Sequence, residues 1–312
     1  MRVAVVGSYG VGMTMRLPRL PTAGETLPGG EFSSGHGGKG SNQAVAAARL
    51  GADVTFLTAV GDDAMGAAAR ELWRAEGIDA SAVVTIPHAA TMVGMILVEP
   101  SGENRIVIAP GSLDHLTPEH VEAFRPQLAA ADLAVASLEI PLRSAVAALR
   151  AARDAGTRTL LNPAPAQPIP DDVWPLVDVV TPNRTEAAIL LGHQPDSDEP
   201  AEALAAELHA KGVASVVVTL GSHGALLLDS TGSRRIAAVP PRVVVDTTGA
   251  GDAFTAGLAV ELARGESLDS AARFAAHVGA HTVSIAEVIP ALPRRADLSD
   301  DPTRRHPSKG TP

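Results

Sequence analysis

The sequence predicts an α/β protein with a mainly parallel central sheet covered by helices on both faces. Three observations carry that prediction. From 117 onward, β-prone runs alternate with helix-periodic ones: helix 117–130, strand 133–137, helix 142–155, strands 159–161 and 177–180, helices 183–191 and 200–211, then strand 216–220. This is the pattern of crossovers between parallel strands. Apolar residues make up 46% of 312, ample for a sizeable core. Finally, the β-branched run Val243 to Val245 leads through glycines into Phe254, Leu258 and Leu262 at four-residue spacing, so a strand is predicted to give way to a helix there. In such sheets ligands bind at the carboxyl ends of the strands.

Taken in order, a first strand at 3–6 is followed by Gly7-Ser-Tyr-Gly10-Val-Gly12. A dinucleotide-binding turn is excluded, because Tyr9 and Met15 stand where glycines are needed and Pro18 and Pro21 prevent the receiving helix. Residues 13–36 read as short strands broken by turns, a small flap. Next, Gly35-His-Gly-Gly-Lys39-Gly-Ser-Asn42 opens an alanine-rich helix closed by Gly51. It is not a nucleotide P-loop, since Ser33 stands where the first glycine belongs and Gly40 follows Lys39. A strand at 54–60 runs into a helix ending before Gly77. Two β-prone runs at 92–98 and 106–108, joined by Glu99-Pro-Ser-Gly102-Glu, predict a hairpin that pairs with the flap. A second hairpin is expected from 226–229 and 236–239, and a helix over 267–284. The organisation is therefore a core of 1–12, 37–90 and 109–293, a β-lid of 13–36 and 91–108, and a tail at 294–312 whose Pro, Arg, Asp and Ser content predicts disorder.

The chemistry is concentrated in Asp246-Thr-Thr-Gly-Ala-Gly-Asp252. A glycine turn entering a helix leaves the amides of Gly249, Ala250 and Gly251 without intrahelical partners, which makes an anion site. Asp252 falls in the first helical turn, where a carboxylate can face both the anion and an incoming hydroxyl. Aspartate at a helix start commonly does no more than offset the dipole, but poor helix formers in a row need a further reason. A base beside an anion hole points to phosphoryl transfer to an alcohol.

Composition narrows the rest. A formal charge of −10 and 3% aromatic residues argue against nucleic acid as a partner. The absence of cysteine removes disulfides and thiolate metal sites. No run of about 18 apolar residues and no signal core are present, so a soluble cytoplasmic protein without membrane contact is expected.

Four stretches then occur in the order and spacing of one family: Gly37-Gly-Lys-Gly-Ser-Asn42-Gln-Ala, Thr181-Pro-Asn183-Arg-Thr-Glu186, Thr219-Leu-Gly-Ser-His-Gly224 and Asp246 to Asp252. Over roughly 1–293 the chain resembles the ribokinase-like (PfkB) carbohydrate kinases. Leu138-Glu139-Ile-Pro141 and Leu161-Asn162-Pro-Ala-Pro-Ala166 resemble the ribokinase branch more than the fructose-phosphate or adenosine branches. The resemblance implies a three-layer α/β/α fold with a β-lid that closes over the sugar and pairs two subunits into a homodimer. It implies a kinase that moves the γ-phosphate of ATP to a primary hydroxyl of a small sugar. Asp252 would be the base, with Gly249, Ala250 and Gly251 as the anion hole. Asn183 and Glu186 would hold Mg²⁺ through water, and Asn183, Thr219, Gly221, Ser222 and Gly224 the nucleotide. Asp246 and the carbonyl of Thr248 match a monovalent-cation (K⁺) site, although Ile285-Ala-Glu287-Val replaces the usual basic, glycine-containing turn there. Gly38, Lys39, Asn42 and Glu139 match sugar-contacting positions. A carboxylate at a helix start is expected to have a lowered pKa.

The acceptor side departs from the family upstream. Where ribokinases present Asn and then Asp, the latter gripping two vicinal hydroxyls, this chain has Gly10 and Gly12. At about 1.5–3 kcal/mol per hydrogen bond to a charged group, ribose is expected to bind poorly unless Glu31, Ser33 or His36 replaces the lost bonds, and the glycines add volume. A nucleoside kinase of the same fold is the alternative enzyme. A non-catalytic sugar-binding protein is a further alternative, opposed by the joint presence of Asp252, Asn183 and Glu186.

Overall fold

The computed structural model describes residues 1–298. Its elements, in chain order, are β1 (Arg2–Val6), β2 (Gly10–Arg16), β3 (Glu31–Gly37), α1 (Lys39–Arg49), β4 (Asp53–Leu57), β5 (Ala59–Gly61), α2 (Ala64–Ala75), β6 (Val84–Ile86), β7 (Val93–Val98), β8 (Asn104–Ala109), α3 (Pro118–Ala123), α4 (Arg125–Ala130), β9 (Leu133–Ser137), α5 (Leu142–Asp154), β10 (Arg158–Asn162), β11 (Val179–Val180), α6 (Arg184–Leu190), α7 (Ala201–Ala210), β12 (Ser215–Thr219), β13 (Ala225–Asp229), β14 (Gly232–Ile236), α8 (Ala250–Ala263), α9 (Leu268–Thr282) and α10 (Val288–Ala291).

Eight strands form the central sheet in the order β14-β13-β12-β11-β10-β9-β1-β4. The pairings from β4 through β12 are parallel, and the β12–β13 and β13–β14 pairings are antiparallel. Alternate residues of each inner strand feed two separate cores, because side chains along a strand point to opposite faces. Val3 and Val5 of β1 pack with α1, α2, α8 and α9, whereas Ala4 and Val6 pack with α3, α4, α5 and α7. Burial on both faces is why these strands read as continuous apolar runs. In the first core, Trp73 stacks edge-on against Phe56 and Tyr9, each at 5.2 Å between ring centres. Truncating Trp73 would cost about 3–5 kcal/mol. Helix α8 is buried continuously from Asp252 to Leu262, as expected of a helix enclosed on all sides.

A second sheet, ordered β3-β2-β7-β8, stands over the carboxyl end of β1. It contains Gly10 and Gly12, which the sequence reading placed in the core; both lie on β2. Phe32, Met95, Ile106, Val107 and Ile108 are exposed on it.

Several expected boundaries shift. Helix 117–130 is two helices meeting at Phe124, because Pro126 in the first turn of α4 cannot donate a backbone hydrogen bond. Strand 54–60 divides at Thr58, and its second half pairs with β6 in a separate two-stranded sheet. The second strand of the late hairpin is Gly232–Ile236 rather than 236–239. Val243 to Val245 form no strand: they are exposed, and the Val245 and Asp246 N–H groups both donate to the Val283 carbonyl. Their β-branched chains favour extended backbone, but among the described residues no neighbouring strand offers a ladder. Of the expected disordered tail, Arg295–Leu298 is an ordered 3-10 turn in which Leu298 is buried and Arg295 lies 4.7 Å over the Phe274 ring. The remainder, 299–312, lies outside the described residues. Among the described residues, no helix is long and apolar enough to cross a membrane.

Candidate active site

The carboxyl ends of β1, β9, β10, β11 and β12 meet the amino-terminal ends of α1 and α8. Close backbone approach makes this possible. A Cβ on Gly40 would lie 2.5 Å from the Gly7 carbonyl carbon, and one on Gly38 only 2.6 Å from Tyr9 Cα, so only glycine lets α1 start against the end of β1. Gly38 also holds φ +88 as the α1 N-cap, a region that side chains disfavour. The N-cap of α8 is Gly249, in left-handed conformation at φ +79.

Asp252, in the first turn of α8, is only 6% exposed. Its Oδ2 accepts a hydrogen bond from Asn42 Nδ2 at 2.8 Å and its Oδ1 one from Gln43 Nε2 at 3.0 Å. Burial pushes the Asp252 carboxyl above the usual carboxylate range, and the Glu139 charge adds to this; the Lys39 charge and the two amide bonds act in the opposite sense. The lowered pKa expected from the helix terminus is thereby corrected, because loss of water outweighs the dipole here. A raised pKa suits a general base better than a lowered one.

Lys39, the first residue of α1, is surrounded by acids. Burial alone would lower its pKa, but Asp252, Glu139 and Glu186 together hold it above the ordinary lysine value. Glu139 Oε2 accepts from Ser8 Oγ at 2.6 Å and from the Lys39 N–H at 3.0 Å. On the other side, Asn183 and Glu186 cap α6 reciprocally: Asn183 Oδ1 accepts from the Glu186 N–H and Glu186 Oε2 from the Asn183 N–H, both at 2.8 Å. Burial raises the Glu186 pKa, Asp252 adds to this, and the Asn183 N–H and Lys39 oppose it. A parallel bridge joins Asn183 to Thr219.

One cavity of about 100 Å³ collects these groups: Lys39, Asn162, Asn183, Glu186, Thr219, Gly249, Gly251 and Asp252 all line it. Within this neighbourhood Asn42 Oδ1, Gln43 Oε1 and Asn162 Oδ1 are buried without a hydrogen-bond partner among the described residues, as acceptors awaiting donors would be. The donor set of Asn183 and Glu186, oxygen ligands with one carboxylate, fits a hydrated Mg²⁺. A larger cavity of about 440 Å³ opens by Arg2, Asp53, Asp79 and Gln127 at the amino end of the strands, away from every motif.

Not all predicted site residues meet there. Gly221, Ser222 and Gly224 form the turn after β12, closed by a Leu220 N–H to Gly224 carbonyl bond of 2.8 Å, and do not line the cavity. Asp246 lies beside it: Oδ1 accepts from the Thr248 N–H at 2.9 Å and Oδ2 from the Glu287 N–H at 3.3 Å. Burial opposes its ionisation, but these bonds and Arg16 prevail and hold its pKa low. The volume expected at Gly10 is already filled, since a Cβ there would lie 2.3 Å from Met92 Cε. Gly12 is open, with Ile96 Cδ1 the nearest atom to a Cβ at 3.7 Å. His36 is engaged elsewhere, its Nδ1 2.8 Å from the Tyr9 hydroxyl. Sequence reading missed Gln43, Ser8 and Asn162, whose Nδ2 donates to Thr255 Oγ1 at 3.0 Å. Two consecutive side-chain amides opening an alanine-rich helix were the available signal for Gln43.

Comparison with known proteins identifies the family. The family described as pfkB family carbohydrate kinase matches residues 2–295. The chain is 36% identical over 295 residues to the ribokinase of Haemophilus influenzae, covering 95% of this chain and 96% of the relative. It is 37% identical over 256 residues to the deoxyribokinase of Salmonella typhi, covering 81% and 83%. The solved structure of Arabidopsis thaliana ribokinase complexed with ribose and ATP superposes with a TM-score of 0.89 at 30% identity, over 95% of this chain and 96% of that one. A family match over 2–295 and a fold likeness over 95% of the chain lead to one conclusion: this chain belongs to the pfkB family of carbohydrate kinases.

Proposed function

We propose that this protein transfers the γ-phosphate of ATP to a primary hydroxyl of a small neutral sugar or polyol. The observation that carries the reading is Asp252, buried, bonded on both oxygens by Asn42 and Gln43, and lining one cavity with Gly249, Gly251, Lys39 and Glu186. Asp252 orients the acceptor hydroxyl and takes its proton as the oxygen bonds to the γ-phosphorus. The bond from that phosphorus to the β,γ-bridging oxygen breaks, and ADP leaves with the electron pair. The amides of Gly249 and Gly251 face the charge that gathers on the equatorial oxygens; the Ala250 N–H, expected to join them, instead donates to the Thr247 carbonyl at 3.3 Å. Lys39 adds a positive charge on the same side. Asn183 and Glu186 would hold Mg²⁺ through water, which supplies charge neutralisation at the phosphates. K⁺ is less well supported, since Ile285-Ala-Glu287-Val stands where the resembling kinases carry a basic, glycine-containing turn. The turn at Gly221, Ser222 and Gly224, together with Thr219, is the reading for the nucleotide. Exposed Phe32, Met95 and Val107 on the lid support a homodimer closed through that sheet, and the lack of cysteine supports a cytoplasmic setting.

A nucleoside kinase is the second reading, favoured by the open space at Gly12. ADP release measured with ATP and Mg²⁺ against pentoses, hexoses, polyols and nucleosides separates the two. Stimulation by sugars or polyols is expected; stimulation by nucleosides alone would replace the first reading with the second.

A further inference from the structure

The lid carries a row without side chains. Gly12 pairs with Gly35 on one side and with Gly94 on the other, and paired residues share a face of the sheet. Three adjacent strands therefore present bare backbone along one line. A Cβ added at Gly94 would meet nothing within 4 Å, and one at Gly12 only ordinary contacts. At Gly35 the single neighbour among the described residues is Glu287 Oε2, at 3.9 Å.

Glu287 is an unusual residue in an unusual conformation. It holds φ +66, shared among non-glycine described residues only with His88, in a region that glycine enters freely and glutamate rarely does. Its backbone is tied at both sides of the site: its N–H donates to Asp246 Oδ2 at 3.3 Å, and a Cβ on Gly249 would lie 2.5 Å from Cγ1 of the next residue, Val288. The segment thus spans the gap between the start of α8 and the lid. Among the described residues the Glu287 carboxylate makes no hydrogen bond or ion pair. The carboxylate is exposed, yet its backbone is held in the left-handed region and joined to Asp246 and Gly249 so that it stands against a side-chain-free surface, which is a reason to look for a ligand.

We propose that Glu287 is a specificity-determining residue, whose carboxylate accepts hydrogen bonds from acceptor hydroxyls remote from the one that is phosphorylated, the glycine row leaving space for them. This rests on the sugar-kinase reading above. The chemical class follows: neutral polyhydroxylated acceptors with adjacent hydroxyls bind, while sugar acids and sugar phosphates are repelled by the like charge.

The test uses the acceptor that the wild-type protein turns over fastest, with KM for acceptor and for ATP, and Tm, measured in Glu287→Gly and Glu287→Gln. Glycine relieves the backbone, so Glu287→Gly is expected to raise Tm while raising acceptor KM by about ten- to a hundredfold, the loss expected when hydrogen bonds to a charged group are removed. KM for ATP stays within about twofold. Gly12→Asp in the Glu287→Gly background, which puts a carboxylate on the same bare row, is expected to recover at least part of the lost affinity. An unchanged acceptor KM in both single variants overturns the proposal, as does a change confined to K⁺ dependence, which would make Glu287 part of a cation loop. A wild-type protein that phosphorylates no sugar or polyol removes the functional reading itself, and this inference with it.

Discussion

The two walls of the cleft differ in how their polar groups are held. On the core wall Asp252 is 6% exposed and receives bonds from Asn42 and Gln43, Glu139 is fixed by Ser8 and the Lys39 N–H, and Asn183 and Glu186 cap each other. On the lid wall Gly35, Gly12 and Gly94 present no side chain, the Glu287 carboxylate has no hydrogen-bond or ion-pair partner among the described residues, and Ile106 and Val107 are 56% and 69% exposed. Groups already bonded to protein need no reorganisation during the reaction, so the core wall sets the chemistry. A wall without side chains determines what else fits, so on the function proposed here the lid side would set the acceptor and the subunit contact. Substitutions on the first should act on kcat, and those on the second on acceptor KM or assembly.

The largest effect is expected at the core wall. Asp252→Asn should lower kcat by about 10²–10⁴-fold with nucleotide affinity nearly unchanged; a variant with near-normal turnover would take Asp252 out of the mechanism. The same change should stabilise the fold near neutral pH. A carboxyl with a raised native pKa binds its proton more tightly when folded, so its ionisation costs stability that grows as pH rises from the unfolded value of about 3.9 through the native one. Thermal melts of Asp252→Asn and wild type should therefore differ at pH 7 and converge below about pH 4. Lower stability of the variant at pH 7 would contradict the burial argument.

Glu186→Gln comes next: it keeps the α6 cap through the amide oxygen but removes the charge, so the Mg²⁺ concentration for half-maximal activity should rise by about tenfold or more. An unchanged Mg²⁺ titration would leave Glu186 as a helix cap alone. The smallest effect on turnover is expected on the lid, where Val107→Glu places a charge on the exposed apolar face. Light scattering should show a dimer in the wild type and a shift to monomer in the variant; a monomeric wild type would sever the lid from assembly.

The same division decided what could be read from the sequence. The parallel core was legible because strands buried on both faces are apolar throughout, and the position of Asp252 in the first turn of α8 followed from local glycine and apolar spacing. Gln43 and Ser8 were not legible, since their roles depend on Asp252 and Glu139, 209 and 131 residues away. The direction of the Asp252 pKa was misread for a related reason: the helix dipole is local and visible in sequence, whereas burial under α1 is tertiary. Val243 to Val245 carried a true preference for extended backbone but no information on whether a partner strand would be present. The strain at Glu287 was equally hidden, because the sequence marks a glutamate but not its φ.

The pH dependence of kcat/KM for the acceptor tests the account of Asp252 most directly, compared between wild type and Gln43→Leu. The acidic limb should lie above the ordinary aspartate range of about 3.9, because burial raises the carboxyl. It should move further up in Gln43→Leu, because that amide bond is one of the interactions lowering it. An acidic limb at or below about pH 4, unmoved by Gln43→Leu, would contradict a buried Asp252 acting as the base.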